Sequence, residues 1–245
     1  MNKKLLFSLL FIGISSSLVY GDNEIYVDQS GDNASIDLEQ LGSSNLITGT
    51  SGVSGTLTAL DLDGASMTLD INQIGSSNIF RSDAIDGDNI TGFFEFDGDS
   101  NVWDLLVNSS GLIASDYINM YVDITGSSNE ADIKIAENAD SSYLDFDLVV
   151  LGGSNVFDFD IDYANAITNI DINGSSNNLT FSASGYGGTT SSDSGYFKLD
   201  LDGSNNDLDI TQSSTLARDY LELITNTSNS SICITQNDGG TATGC

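Results

Sequence analysis

The chain has 245 residues, 39% of them hydrophobic, with 36 acidic and 6 basic side chains, no histidine, no proline and a formal net charge of −30. That length supports one large domain or two small ones, and the charge repels nucleic acid and anionic lipid, which leaves multivalent cations as the natural electrostatic partners. Without histidine the usual general base and the commonest metal ligand are missing, while regularly placed aromatic and branched apolar residues argue for a folded chain rather than a disordered acidic one.

Residues 1–21, MNKKLLFSLLFIGISSSLVYG, read as a secretory signal peptide. Lys3 and Lys4 make the basic start, an apolar run begins at Leu5, and Val19, Tyr20 and Gly21 give a cleavage site. The mature chain then starts near Asp22 and carries 36 acidic residues against four basic ones, a charge near −32. The apolar run is short, and no later segment is long and apolar enough to span a membrane. The expected location is secreted, at the cell surface or outside the cell.

Residues 22–230 are expected to form β-solenoid repeats. Turn glycines recur at Gly31, Gly42, Gly52, Gly64, Gly75, Gly87, Gly98 and Gly111, every 10 to 13 residues, so every second one gives a period of about 22. The series continues at Gly126, Gly152, Gly174 and Gly203 and then at Asn226, with intervals of 22 to 29. The longer intervals imply insertions, for which NSSGLIASD, ENADSS and GYGGTTSSDSG are the candidates. A fixed period of this size over about nine repeats is the mark of a solenoid.

The flanks of each turn have a period of two. Leu144, Phe146, Leu148 and Val150 alternate with largely acidic neighbours before Gly152, and Phe157, Phe159 and Ile161 alternate with Asp158 and Asp160 after it. That pattern predicts strands with one dry face and one wet face. In the turns, glycine permits positive φ, serine and asparagine bond to local backbone, and asparagine tolerates the left-handed region. The structural turn residues are therefore Gly31, Gly42 with Asn45, Gly75 with Asn78, Gly98 with Asn101, Gly126 with Asn129, Gly152 with Asn155, Gly174 with Asn177 and Gly203 with Asn206. The absence of proline suits strands that all need their amide donors. The predicted fold is all-β, a flattened solenoid with two strands per rung and about nine rungs, roughly 43 Å long at the usual strand spacing. Trp103, Phe80 and Phe157 fall at inward parity, which predicts core packing rather than ligand stacking.

Residues 231–245 are expected to hold the last strand and a tail closed by a disulfide between Cys233 and Cys245. In an exported chain these two cysteines point to a disulfide, with free thiols as the alternative.

The spacing of Gln40, Gly42 and Asn45, and of Gln73, Gly75 and Asn78, resembles the curlin repeat, whose unit runs Gln-x-Gly-x-x-Asn followed by an alternating strand and a second glutamine. A shorter variant occurs at Gln29, Gly31 and Asn33, and LDITQ ending at Gln212 and ICITQ ending at Gln236 look like the second glutamine. From Phe96 onward that glutamine position holds Phe96, Ile124, Val150, Ile172 and Leu201, and no Gly/Asn-rich export segment follows the signal. The resemblance implies a curli-like subunit of a Gram-negative bacterium, secreted through an outer-membrane pore and growing into amyloid-like fibres in a biofilm matrix.

Two function classes follow. One is a structural protein that self-associates end to end, because both ends of a solenoid are β-edges with unpaired backbone groups. The other is a monomeric or tip-mounted acidic adhesin that recognises a surface or glycan through loops such as GYGGTTSSDSG. No catalytic role is expected, because aspartate is so common on the strand faces that any carboxylate pair has an ordinary structural reading. No cofactor is expected either. DLDGSNND and FDGDSN lack the full calcium-loop pattern, so Ca²⁺ or Mg²⁺ is expected to bind loosely, at no defined site. The relevant carboxylates are Asp145, Asp147, Asp158, Asp160, Asp162, Asp200 and Asp202. If they stack about 5 Å apart, each neighbouring pair repels by roughly 0.8 kcal/mol in water. The alternative is that they are solubilising charges.

Overall fold

The computed structural model describes residues 24–48, 60–107, 117–135, 143–161, 166–185, 196–214 and 220–237. The expected signal, NSSGLIASD, ENADSS, all but the first residue of GYGGTTSSDSG, Gly52, Gly111, Asp162 and Cys245 lie outside these residues.

All regular structure among the described residues is β, and no helix occurs there. In chain order the first strands are β1 (Glu24–Tyr26), β2 (Asp28–Ser30), β3 (Ser35–Leu41), β4 (Leu46–Thr48), β5 (Leu60–Asp63) and β6 (Thr68–Ile74). Next come β7 (Ile79–Asp86), β8 (Ile90–Asp97), β9 (Val102–Val107), β10 (Ile118–Thr125), β11 (Glu130–Ile135), β12 (Leu144–Leu151) and β13 (Val156–Ile161). The series ends with β14 (Ala166–Asn173), β15 (Asn178–Gly185), β16 (Tyr196–Ser204), β17 (Asp207–Ser214), β18 (Tyr220–Ser228) and β19 (Ser231–Asn237).

These strands form two sheets. One follows β1-β4-β7-β9-β11-β13-β15-β17-β19, with β2 beside β5 and β5 beside β7; the other holds eight strands in the order β18-β16-β14-β12-β10-β8-β6-β3. Every pairing in both sheets is parallel. From β5 onward consecutive strands lie in opposite sheets, whereas β1 and β2, and β4 and β5, share one sheet; each strand pairs with strands of its own sheet one tier away. This is a β-solenoid.

The period-two pattern is what seals the interior. In β12 the sequence LDFDLVVL buries Leu144, Phe146, Leu148 and Val150 and leaves Asp145, Asp147 and Val149 partly exposed. β10 and β14 bury the residues that flank this set in register, Ile118, Met120, Val122 and Ile124 on one side and Ala166, Thr168, Ile170 and Ile172 on the other. Each large apolar side chain so buried contributes about 1.5–3 kcal/mol. Trp103, Phe80 and Phe157 lie in this core as their parity predicts, and the Trp103 ring stacks on Phe96 at 4.2 Å.

The evenly spaced glycine series proves to serve two opposite corners. Gly31, Gly64 and Gly87 stack at one corner, whereas Gly42, Gly75, Gly98, Gly126, Gly152, Gly174 and Gly203 stack at the other. Glycine is required where the tiers touch: a Cβ on Gly126 would lie 2.0 Å from the carbonyl oxygen of Gly98.

The last turn is displaced from its expected place. Asn226 is not the glycine equivalent, because Gly203 pairs in register with Thr227. β18 runs through Ser228 and the reversal is made at Asn229, with φ 54°, just as β16 runs through Ser204 and reverses at Asn205, with φ 56°.

Candidate functional site

The features that distinguish this molecule are a polar ladder along one corner, short amide ladders near its two ends, and its acidic outer faces. The corner ladder is built by the motif asparagines. Asn45, Asn78, Asn101, Asn129, Asn155, Asn177 and Asn206 are all buried. The backbone N–H of each donates to the Oδ1 of the next: Asn45 to Asn78 at 2.9 Å, Asn78 to Asn101 at 2.8 Å, Asn101 to Asn129 and Asn129 to Asn155 at 2.9 Å. The series continues through Asn155 to Asn177 at 3.0 Å and Asn177 to Asn206 at 2.9 Å, and ends where Asn206 donates to the Ser230 hydroxyl at 3.1 Å. The side chain also donates back to the tier before it, from Asn177 Nδ2 to Gly152 O at 3.2 Å and from Asn206 Nδ2 to Gly174 O at 3.0 Å. One amide thus clasps the preceding turn at two points.

The expected turn chemistry holds at Asn33, Asn89, Asn205 and Asn229, which take the left-handed region with φ between 54° and 61°, but not at the motif asparagines themselves. At six of those turns the left-handed residue is the serine before the asparagine: Ser44, Ser77, Ser100, Ser128, Ser154 and Ser176 have φ between 59° and 63°. The asparagine is held one residue further on because its amide is needed between tiers. Ser230, the ladder's last acceptor, was missed by motif reading; its position one residue before β19 was the available signal.

The glutamines fall into two groups. Gln40 and Gln73 pair in register, with Gln73 Nε2 donating to Gln40 Oε1 at 2.9 Å and reaching across its own turn to Ile79 O at 3.3 Å. Gln40 Nε2 reaches Leu46 O in the same way at 3.1 Å. Phe96, Ile124, Val150, Ile172 and Leu201 do continue their column, which ends at Thr225. Gln29, read from spacing as a variant of the same motif, belongs to the other sheet, where it pairs with Leu62. Gln212 and Gln236 pair in register, and Gln236 Nε2 donates to Gln212 Oε1 at 2.7 Å. Cys233 is disulfide-bonded.

On the outer faces the expected aspartate stacks are mostly broken up. Asp145 lies between Asn119 and Ile167, Asp147 between Tyr121 and Asn169, Asp160 between Lys134 and Ser182, and Asp202 between Asn173 and Asn226. Asn169 Nδ2 donates to Asp147 Oδ1 at 2.7 Å. Carboxylates are direct neighbours of Asp158, beside Asp132, and of Asp200, beside Asp171. The longest such run from Asp158 is Asp104–Asp132–Asp158, with Arg81 next to its first member and Thr180 next to its last. Among the described residues no three acidic or cysteine side chains converge in a way that could hold a metal ion.

Three half-buried carboxyls on the eight-stranded sheet have their pKa raised. For Asp123 the cause is burial and then the Asp97 charge, opposed by a hydrogen bond from Tyr121; for Asp145 it is burial and then Asp147. Asp171 is raised by burial and by Asp200 and Asp202, with Lys198 opposing. Beside Asp171, an open groove of about 250 Å³ is lined by Tyr121, Asp147, Asn169, Lys198 and Asp200, among others. It offers carboxylate and amide acceptors with one ammonium, a surface suited to hydrogen-bonding a hydroxyl-rich ligand. Comparison of the chain with family models, curated proteins and solved structures finds no match.

Proposed function

We propose that the chain is a secreted structural subunit, curlin-like and of about nine rungs, that stacks end to end into extracellular amyloid-like fibres. The observation that carries this reading is the way both sheets finish: β1 and β3 at one end, and β19 and β18 at the other, each have a pairing partner on one side alone among the described residues. Such edges are templates for further strand pairing. The expected setting is the cell surface or biofilm matrix of a Gram-negative bacterium, with salt or divalent cations easing the charge repulsion between subunits. Negative-stain electron microscopy of the purified mature chain, incubated in salt, tests it; long unbranched filaments are expected, and persistent small particles would refute it.

A second reading is a monomeric adhesin that binds a glycan. The groove beside Asp171 and Lys198 favours it. Retention of the unassembled protein on immobilised neutral polysaccharide, lost on Asn169→Ala, is the outcome that reading requires.

A further inference from the structure

We propose that copies of this chain join head to tail in a single register, with Gln236 of one copy set against Gln29 of the next. The join rests on the end-to-end reading above and specifies its interface.

The basis is the column of inward residues to which Gln29 belongs. It runs from Gln29 to Leu62, Ile85, Val107, Ile135 and Ile161. Asp160 pairs with Ser182, which sets Ile161 beside Ala183, and the column continues through Gln212 to Gln236. Six apolar residues therefore separate one glutamine at the first tier from two at the last. Gln212 and Gln236 bond to each other within the chain, but Gln29 has only Leu62 beside it in this column. Leu62 fills the same column with its side chain fully buried, whereas Gln29 has a buried Oε1 without a hydrogen-bond partner.

The rest of the end strands match as well. Ile25 heads the column that ends in Ile232. With Gln236 over Gln29, the inward set Ile232, Ile234, Gln236 meets Ile25, Val27, Gln29. In the other sheet, Leu221 and Leu223 of β18 meet Ile36 and Leu38 of β3, by the same columns that link them inside the chain. All eight of these aliphatic residues are partly buried and pack against the core, so each end offers apolar surface of the kind that an added tier would cover. Charge is compatible: Asp28 meets Thr235 and Glu39 meets Ile224, while Asp37 and Glu222 make one like-charged pair.

The hydrogen-bond direction also fits. Within the chain the later tier's Nε2 donates to the earlier tier's Oε1, in both Gln73–Gln40 and Gln236–Gln212. Continued across the join, Gln29 Nε2 donates to Gln236 Oε1 of the preceding copy. Gln29 Nε2 has two hydrogens, and its bond to Gly31 O at 2.8 Å occupies one.

Two measurements on the mature chain test the join. Fibres grown from a mixture of ¹⁵N-labelled and ¹³C-labelled copies should give a solid-state NMR contact between the Gln29 side-chain amide nitrogen and the Gln236 carboxamide carbon. Fibres without that contact overturn the join and leave the fibre reading standing; no fibres at all overturn both. Gln29→Leu, checked for an unchanged circular dichroism spectrum, should slow seeded elongation about tenfold by leaving the partner amide unpaired. Faster elongation would mean that the glutamine blocks stacking, which also overturns the join.

Discussion

At the scale of single residues, the corner asparagine accepts from the asparagine N–H of the tier before it, and at Asn155, Asn177 and Asn206 it also donates to that tier's glycine carbonyl. Alanine at Asn129 removes the acceptor for Asn101 N–H in a place where water does not reach. The expected cost of Asn129→Ala is about 1–3 kcal/mol, the usual penalty for a buried donor left unpaired. Serine should recover part of it, because Ser230 already serves as the acceptor for Asn206 at the end of the ladder. Urea melts of the two variants check the order: wild type above Asn129→Ser, and Asn129→Ser above Asn129→Ala. An alanine variant as stable as wild type would show that the ladder contributes nothing.

At the scale of elements, β7 departs from the regular plan. Arg81 pairs with Asp104 and Ile85 with Val107, so three residues of β7 face two of β9, which is a bulge. Ser82 repairs it. Its buried hydroxyl accepts from Leu106 N–H at 2.8 Å and lies within hydrogen-bonding reach of the Asp104 and Leu106 carbonyls. Ser82→Ala should therefore cost about 1–3 kcal/mol and raise amide hydrogen exchange at Leu106 more than at Ile133; equal protection at both would refute the role. The strands themselves were legible, since Leu144 to Val150 announce their buried face by alternation alone. The bulge was not legible, because Ser82, Asp83 and Ala84 include neither the glycine nor the proline that would mark a break in the strand. Two corners were legible from the every-second-glycine period, but the membership of each was not: Gly64 stacks on Gly31 and Gly75 on Gly42, whereas counting every second glycine groups Gly31 with Gly75. Spacing placed the asparagines in turns but left their bonds between tiers unseen, because those depend on which tier lies alongside.

At the scale of the whole molecule, the acidic surface makes stability depend on pH in a definite sense. Asp123, Asp145 and Asp171 have folded-state pKa values above the ordinary 3.8, with burial as the leading cause. The folded chain therefore favours their protonated form more than the unfolded chain does. Their contribution is fully present below the unfolded value and is lost as the pH rises through the folded values. Asp171 adds the repulsion of Asp200 and Asp202, which salt screens. The melting temperature of the mature chain should thus fall between about pH 4 and neutrality, and 0.5 M NaCl should narrow the difference. Asp171→Asn, which holds the neutral form at every pH, should flatten the profile, whereas removing an inert surface charge would leave its shape unchanged. Millimolar Ca²⁺ at low salt should raise the melting temperature at neutral pH above its value in chelator, with matched ionic strength in NaCl recovering most of the gain. That last equivalence follows from the interleaving of Asp145, Asp147, Asp160 and Asp202 with other side chains, which among the described residues disperses the charge instead of gathering it into a chelating site.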